Sequence, residues 1–233
     1  MSEDARTFDF DQDYGATYQD RIRRIVPGYD DLAAMVLGEL SGLAPYRARV
    51  LVVGPGAGEE LEVMGRLRPS WRLAAVDSSL QMVSIAEERM RRAGLTDRVE
   101  ILHGVVDDLP PEPVYDAATL SLVMHFVSDD GGKLELLRGI ATRLKDGAPL
   151  TLVDGHGDIA SAEFRQTFEA WMRYLILQGM TPEELEQYRA RVAGSVHWVP
   201  ESRIRALLTE AGFGPARQFY RGYVFGGWIA LRV

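Results

Sequence analysis

The chain has 233 residues, of which 46% are hydrophobic and 26% charged, and its formal net charge is -8. This length supports one sizeable core, or a core with a small cap, and the acidic balance argues against nucleic acid as a partner bound through a broad basic face. The absence of cysteine excludes disulfides, thiolate metal sites and cysteine nucleophiles.

The first 44 residues predict a helical segment that precedes the main domain. The acidic start lacks the basic and apolar regions of a signal peptide, and no apolar run approaches the ~18 residues of a membrane span, so we expect a cytoplasmic protein. Two helical stretches follow between residues 16 and 44, with a break forced by Pro27 and Gly28. We expect residues 1–44 to form an N-terminal helical cap.

Beyond residue 45, short apolar runs alternate with amphipathic helices. The predicted strands lie at 49–54, 72–77, 98–103, 115–123 and 148–154. One helix between them begins with a Ser79 cap and ends at Gly94, and another ends at Gly147. This alternation predicts an α/β fold: a Rossmann-like, doubly wound and mostly parallel sheet, with helices on both faces and ligands at the carboxyl ends of the strands.

The pattern changes after the fifth predicted strand. Residues 159–195 read as a helical insertion of two long helices within the domain 45–233. Together with the N-terminal helices, these two helices would form a cap over the site. Alternatively, they serve ordinary packing or form a subunit interface. The last alternative makes a homodimer one expected assembly. A last helix follows Pro200, and the runs ARQFYRG and YVFGGWIALRV predict a closing antiparallel C-terminal hairpin.

A glycine-rich turn, within LVVGPGAGEE at residues 51–60, follows the first predicted strand. A P-loop needs a lysine at this turn, but the only two lysines are Lys133 and Lys145, which excludes a nucleoside triphosphate. A dinucleotide would place its pyrophosphate at the next helix N-terminus, where Glu59 and Glu60 would repel it. S-adenosylmethionine has no phosphate and carries a sulfonium and an ammonium, so it is compatible with these carboxylates.

A second acidic residue supports a nucleoside-containing ligand. Asp77 ends the second predicted strand, where a carboxylate can accept hydrogen bonds from both hydroxyls of a ribose. The alternative role for Asp77 is a helix cap.

Four segments, VLVVGPGAG, VDSSLQM, DAATLSLVMHFV and LKDGAPLTLVD, resemble the successive motifs of class I S-adenosylmethionine-dependent methyltransferases over roughly residues 45–155. The C-terminal hairpin resembles the end of the same fold. More narrowly, IRRIVPGYDDL and the helices after the core resemble the branch that includes the carboxy-S-adenosylmethionine synthases of tRNA wobble-uridine modification, which use prephenate as carboxyl donor. The implied cofactor is S-adenosylmethionine.

The resemblance also implies a set of cofactor-binding residues. Tyr29 would close over the cofactor, the 54–58 turn would pass beneath its methionine portion, and Asp77 would hold its ribose. Arg189 aligns with the arginine that binds the extra carboxylate in the synthases. The complete implied set is Tyr29, Gly54, Pro55, Gly56, Gly58, Asp77, Ser78, Val105, Val106, Ser121 and Arg189.

The sequence departs from the family pattern in three places. Val52 stands where the first strand usually carries an aspartate, and Val105 replaces an acid commonly paired with the adenine amine. The GPG turn also differs from the turn of the synthases. These departures predict weakened cofactor affinity, which leaves a non-catalytic cofactor-binding relative as an alternative.

Methyl transfer requires a positioned acceptor and, for some acceptors, a base that removes a proton. His125 follows the fourth predicted strand and His156 follows the fifth, so either is a candidate general base. The alternative for His125 is a packed residue at a helix start, and the alternative for His156 is an exposed loop residue. His156 and Asp158 are too few ligands for a metal site, so no metal is expected.

Aromatic side chains are frequent in the predicted cap and hairpin, where they suit a flat or cationic acceptor or simply form core. The set is Trp171, Tyr174, Tyr188, Trp198, Phe219, Tyr220, Tyr223 and Trp228.

The sequence therefore predicts S-adenosylmethionine-dependent methyl transfer to a small-molecule acceptor. A carboxy-S-adenosylmethionine synthase and a non-catalytic relative are the alternatives.

Overall fold

Seven strands form one mixed sheet in the computed structural model, which describes residues 16–233. The strands are β1 (Arg49–Val53), β2 (Arg72–Asp77), β3 (Val99–His103), β4 (Ala117–Ser121), β5 (Pro149–Gly155), β6 (Arg217–Gly222) and β7 (Phe225–Leu231). Their order is β3-β2-β1-β4-β5-β7-β6, and β7 runs antiparallel to both of its neighbours. The predicted Rossmann-like sheet with a closing antiparallel hairpin is confirmed.

Helices cover both faces of this sheet. Those within residues 16–233 are α1 (Ala16–Ile25), α2 (Tyr29–Ser41), α3 (Glu59–Leu67), α4 (Leu80–Ala93), α5 (Gly132–Arg143), α6 (Ala162–Leu177), α7 (Pro182–Ser195) and α8 (Glu201–Glu210). Two short 3₁₀ helices, Val106–Asp108 and Met124–Phe126, follow β3 and β4. The predicted cap helices thus correspond to α1, α2, α6 and α7, while residues 1–15 of the predicted N-terminal cap lie outside the described residues.

The central strand β1 is buried on both sides, which explains its continuous apolar run. Val50 and Val52 belong to a core cluster that also contains side chains of α2, α3, α6 and α7. Leu51 and Val53 belong to the cluster on the opposite face, together with side chains of α5 and α8. The cap helices therefore share the core of the sheet, and the division of the chain near residue 45 stays a prediction.

Local capping chemistry explains both boundaries of α4. The Ser79 hydroxyl accepts a hydrogen bond from the Met82 amide at the start of α4, and Gly94 ends that helix with a φ of 68°. Pro27 and Gly28 separate α1 from α2 as predicted.

The predicted end of α5 at Gly147 is wrong, because the helix stops at Arg143. The Lys145 amide donates to the carbonyl of Tyr115, and Leu144 pairs with Tyr115 in an isolated parallel bridge. Because this pairing requires extended backbone, it ends the helix before the glycine. Gly147 instead lies in the turn that leads into β5.

Two buried aromatic side chains fasten the junction between α1 and α2. Trp171 of α6 donates its Nε1 hydrogen to the carbonyl of Ile25 at 2.8 Å, and the Tyr220 hydroxyl of β6 donates to the carbonyl of Pro27 at 2.6 Å. Burial raises the pKa of Tyr220 to about 12, so this hydroxyl keeps its proton throughout the physiological range. The N-terminal helices are thereby held to the inserted helices and to the hairpin.

Trp171→Phe removes the indole donor and leaves the Ile25 carbonyl buried without that partner. We expect the free energy of unfolding in urea to fall by about 1–3 kcal/mol, the usual cost of an unsatisfied buried polar group. Ile176→Ala on the same helix alters a side chain that is 40% exposed and should change stability by less than about 0.5 kcal/mol. Equal effects of the two substitutions would contradict the assigned role of this hydrogen bond.

Candidate active site

A cavity of about 500 Å³ opens where the first, second and fourth strands end. Its volume lies within the ~300–1,000 Å³ typical of small-molecule sites. Nine of the predicted cofactor-binding residues line it: Tyr29, Gly54, Pro55, Gly56, Asp77, Ser78, Val105, Val106 and Ser121. The structure therefore brings most of the predicted set together, while their binding roles stay predictions.

The glycine turn after β1 forms one wall of this cavity. A Cβ on Gly54 would lie 2.3 Å from Cγ2 of Val123, so this position has no room for a side chain. Gly56 has a φ of 51°, and a Cβ there would meet nothing within 4 Å, so the backbone itself faces the open space. Gly58 does not line the cavity; it caps α3 and packs against Ala86 of α4.

Asp77 at the end of β2 shapes the same turn. Its Oδ2 accepts a hydrogen bond from the Gly56 amide at 3.1 Å, and its Oδ1 accepts one from the Ser79 amide at 2.9 Å. A carboxylate has about four acceptor positions, so Asp77 can hold the turn and still accept hydrogen bonds from a ligand. Ser79, rather than Asp77, is the N-cap of α4.

Glu60 is a cavity residue that the sequence did not place in the site. It lies in the first turn of α3, and its Oε2 accepts a hydrogen bond from the Ser121 hydroxyl at 2.8 Å. Its Oε1 is buried without a hydrogen-bond partner. Burial raises the pKa of Glu60 above its ordinary value, and the nearby hydroxyls of Thr119 and Ser121 oppose that rise.

The other glutamates at this end of α3 have cationic partners. Glu59 pairs with Arg23 at 2.7 Å and with Arg89 at 3.9 Å, while Glu62 pairs with Arg89 at 3.0 Å. These ion pairs neutralise the charge on one side of the cavity. The sequence signal for Glu60 was the Glu59-Glu60 pair at the helix start, since only one of two adjacent helical residues can face the sheet.

A histidine–aspartate pair lies beyond the end of β4. The backbone amide and Nδ1 of His125 both contact Oδ1 of Asp154, at 3.1 and 2.5 Å, and Asp154 has no exposed surface. Because a carboxylate accepts hydrogen bonds, this contact places a hydrogen on Nδ1, and in the neutral imidazole Nε2 is then the acceptor. The arrangement suits a general base.

Lys133 of α5 supports the segment that carries this histidine. Its Nζ is completely buried and donates to the carbonyl of Met124 at 2.7 Å, one residue before His125. Burial lowers the pKa of Lys133, and the charges of Asp154 and Asp129 oppose that effect. Leu122 precedes this segment with a φ of 60°, an uncommon conformation for a branched side chain that typically costs about 1–3 kcal/mol.

A smaller cavity of about 60 Å³ adjoins the first, and Leu122 and Phe126 line both. His125 forms part of its wall. The remaining wall is mainly apolar and aromatic and includes Ile22, Ile25, Val26, Trp171, Tyr188, Val192, Val196, Trp198 and Phe225. Three of the aromatic residues noted in the sequence therefore face this space, whereas Trp228 belongs to the core on the opposite face of the sheet.

His156 lines neither cavity. It is buried rather than exposed, its ring centroid lies 5.0 Å from that of Trp228, and its Nε2 has no hydrogen-bond partner. Burial lowers the pKa of His156, so the ring is neutral at physiological pH. Its catalytic role stays a prediction, and this position separates it from the predicted cofactor residues.

Arg189 also lies apart from both cavities. Its guanidinium forms a two-pronged pair with Glu169, at 2.6 and 3.2 Å, and lies 5.6 Å from the centroid of the Phe168 ring. The predicted binding of a ligand carboxylate by Arg189 is therefore not supported by its present contacts and stays a prediction.

Within residues 16–233, no group of three or more histidine and acidic side chains is arranged to hold a metal ion. No helix in the same range is long and apolar enough to cross a bilayer.

Comparison with known proteins places this geometry in a family. Residues 50–147 match the family model described as a methyltransferase domain. An uncharacterised protein of Synechococcus sp. is 32% identical over 66% of this chain, which spans only 35% of that relative. The carboxy-S-adenosyl-L-methionine synthase of Hydrogenovibrio crunogenus is 26% identical over 97% of this chain and 89% of the synthase.

The fold has counterparts among solved structures as well. A SAM-dependent methyltransferase from Aquifex aeolicus superposes with a TM-score of 0.63 at 22% identity, over 95% of this chain and all of the other. At that identity the likeness concerns the fold alone. Together with the domain match over residues 50–147 and the nearly full-length similarity to a synthase, it supports a class I S-adenosylmethionine-dependent methyltransferase near the branch that includes the carboxy-S-adenosylmethionine synthases.

Proposed function

We propose that the protein transfers the methyl group of S-adenosylmethionine to a small, largely apolar acceptor whose nucleophile carries a proton, such as a hydroxyl. The observation that carries this proposal is the His125–Asp154 pair in the wall of an apolar cavity that adjoins the predicted cofactor cavity. A cytoplasmic location and a homodimer remain part of the proposal and rest on the sequence.

The donor set of the larger cavity fits this cofactor. Asp77 offers acceptor positions for ribose hydroxyls, and the open backbone at Gly56 admits a ligand close to the turn. The buried oxygen of Glu60 without a hydrogen-bond partner suits a ligand with cationic groups. When bound, S-adenosylmethionine supplies an electrophilic methyl group on a sulfonium.

The chain's own residues then have three tasks. His125 accepts the proton of the acceptor nucleophile at Nε2, while Asp154 fixes the ring through Nδ1 and stabilises the imidazolium that forms. The aromatic walls exclude water beside His125 and orient the part of the acceptor that enters the smaller cavity. General base catalysis by a positioned histidine typically contributes about 10²- to 10⁴-fold in rate.

A carboxy-S-adenosylmethionine synthase is the second candidate, because the similarity to the Hydrogenovibrio crunogenus enzyme extends over nearly the whole chain. Prephenate carries two carboxylates, which need cationic partners in a largely apolar site. Arg21 lines the smaller cavity, whereas Arg23 and Arg89 at the larger cavity are already paired with Glu59 and Glu62. The third candidate is a non-catalytic binding protein, which the valine at position 52 motivates.

One assay separates the three candidates. The purified protein is incubated with S-adenosylmethionine and either a panel of small phenols or prephenate, and the products are identified by mass spectrometry. S-adenosylhomocysteine with a methylated phenol supports methyl transfer, whereas carboxy-S-adenosylmethionine from prephenate supports the synthase. Bound but unconverted cofactor in every reaction supports the non-catalytic candidate.

Asp77→Ala should raise the dissociation constant of S-adenosylhomocysteine at least about tenfold in calorimetry, because a hydrogen bond to a charged group is worth about 1.5–3 kcal/mol. Asp116→Ala is the matched control. Asp116 also accepts a backbone hydrogen bond, from Arg49 at 2.8 Å, but does not line the cavity. Unchanged affinity in folded Asp77→Ala protein would contradict the site.

His125→Gln should retain affinity for S-adenosylhomocysteine and lower the rate with the phenol identified in the assay by about 10²-fold or more. His156→Gln changes an equally buried histidine outside both cavities and should leave most of the rate. If the effects of the two substitutions on the rate are reversed, His156 is the base and the assignment of His125 is wrong.

Arg189→Ala should leave methyl transfer to the phenol within about twofold of the wild-type rate, because an exposed ion pair contributes little. Arg191→Ala on the same helix serves as control. If the protein makes carboxy-S-adenosylmethionine from prephenate and Arg189→Ala alone abolishes that product, the synthase displaces the methyltransferase as the function.

A further inference from the structure

We propose that Glu60 is the carboxylate that receives the ammonium group of the cofactor's methionine portion. The proposal rests on the proposed function, because it takes the larger cavity to be the S-adenosylmethionine site. It assigns a positioning and specificity role to a residue outside the family motif recognised in the sequence.

The first argument is the position of the side chain. Val52 of β1 is aligned with Thr119 of β4, and both line the cavity. Glu60 reaches this place from the first turn of α3, where the Ser121 hydroxyl at the end of β4 fixes its Oε2. A carboxylate missing from the strand is thus supplied by the helix that follows the same turn.

The second argument is the state of its oxygens. Oε1 of Glu60 is buried near the Thr119 hydroxyl, and neither atom forms a well-aligned hydrogen bond. Asp77, by contrast, accepts hydrogen bonds from two backbone amides, and Glu59 and Glu62 are neutralised by arginines. Among the cavity carboxylates that the structure describes, Glu60 therefore has neutral hydroxyls as neighbours and forms no ion pair. A cationic hydrogen-bond donor is the chemical group that would compensate its charge.

The third argument is energetic. A buried carboxyl without a cation favours its protonated form, which agrees with the raised pKa of Glu60 in the protein alone. An ammonium placed beside it favours the ionised form. Binding should therefore release a proton from Glu60, and the charge pair forms only when the correct ligand is present. Ligands without the ammonium gain nothing from this group.

Three nucleoside probes test the assignment by calorimetry. S-adenosylhomocysteine carries both the ammonium and the carboxylate, S-adenosyl-3-thiopropylamine carries the ammonium alone, and 5′-methylthioadenosine carries neither. Glu60→Gln should weaken the first two by about 10- to 100-fold, the loss expected for a charged hydrogen bond, and leave the third within about twofold. Glu59→Gln, whose native charge is paired with Arg23, should change all three affinities by less than about threefold.

Proton release gives a second measurement. Binding enthalpies of S-adenosylhomocysteine in buffers of different ionisation enthalpy report the number of protons released. The wild type should release protons on binding at pH values below the raised pKa of Glu60, and Glu60→Gln should release fewer.

Thermal stability of the protein without ligand separates a binding role from a structural one. A raised pKa in the folded state means that stability from protonated Glu60 is present at low pH and is lost as the pH rises through that pKa. The melting temperature of Glu60→Gln should therefore fall less than that of the wild type as the pH rises through that pKa. A structural role would lower the melting temperature on both sides of that pKa.

The outcomes are distinct. If wild-type protein binds none of the probes, the proposed function fails and this proposal with it. If the wild type binds S-adenosylhomocysteine and Glu60→Gln binds it equally well, the cofactor site stands and the role of Glu60 is wrong. Equal weakening of all three probes by Glu60→Gln would also overturn the ammonium assignment.

Discussion

The two backbone hydrogen bonds accepted by Asp77 are the constraint on which the site depends. They connect the end of β2 to the glycine turn after β1 and to the start of α4, so one carboxylate sets the relative position of three elements. The open backbone at Gly56 and the direction of α3 both follow from the shape of that turn. Because α3 carries Glu60, the geometry of the cavity's buried acid depends indirectly on Asp77 as well.

The carboxylates around the cavity are not all neutralised to the same extent. Arginines from α1 and α4 neutralise the outer carboxylates of α3, whereas the inner carboxylate interacts only with hydroxyls. A site of this kind disfavours phosphates and favours a ligand that is itself cationic. The wall of the smaller cavity next to it is mainly apolar and aromatic, and Arg21 and His125 are its charged or titratable members, so the two spaces differ in the chemistry they can hold.

The sequence predicted those parts of the molecule that follow from local patterns. Strand runs, the Ser79 cap and the glycine turn depend on neighbouring residues, and the expected sheet follows from their alternation. The end of α5 was missed because it depends on a bridge between Leu144 and Tyr115, which are distant in the sequence. The contact of His125 with Asp154 was not predicted either, because these two residues are also distant in the sequence. Arg189 was placed by resemblance alone, which carried no information about its pairing with Glu169.

Trp171 contributes both to the stability of the cap and to the wall of the smaller cavity. Its indole holds the α1–α2 junction through the Ile25 carbonyl, and its ring, together with the Ile25 side chain, lines the smaller cavity. The same atoms thus hold the cap in place and face the space proposed for the acceptor. A change of acceptor preference through this wall is therefore coupled to conformational stability, so evolution or engineering of new specificity here has to begin with compensating stabilisation elsewhere in the cap.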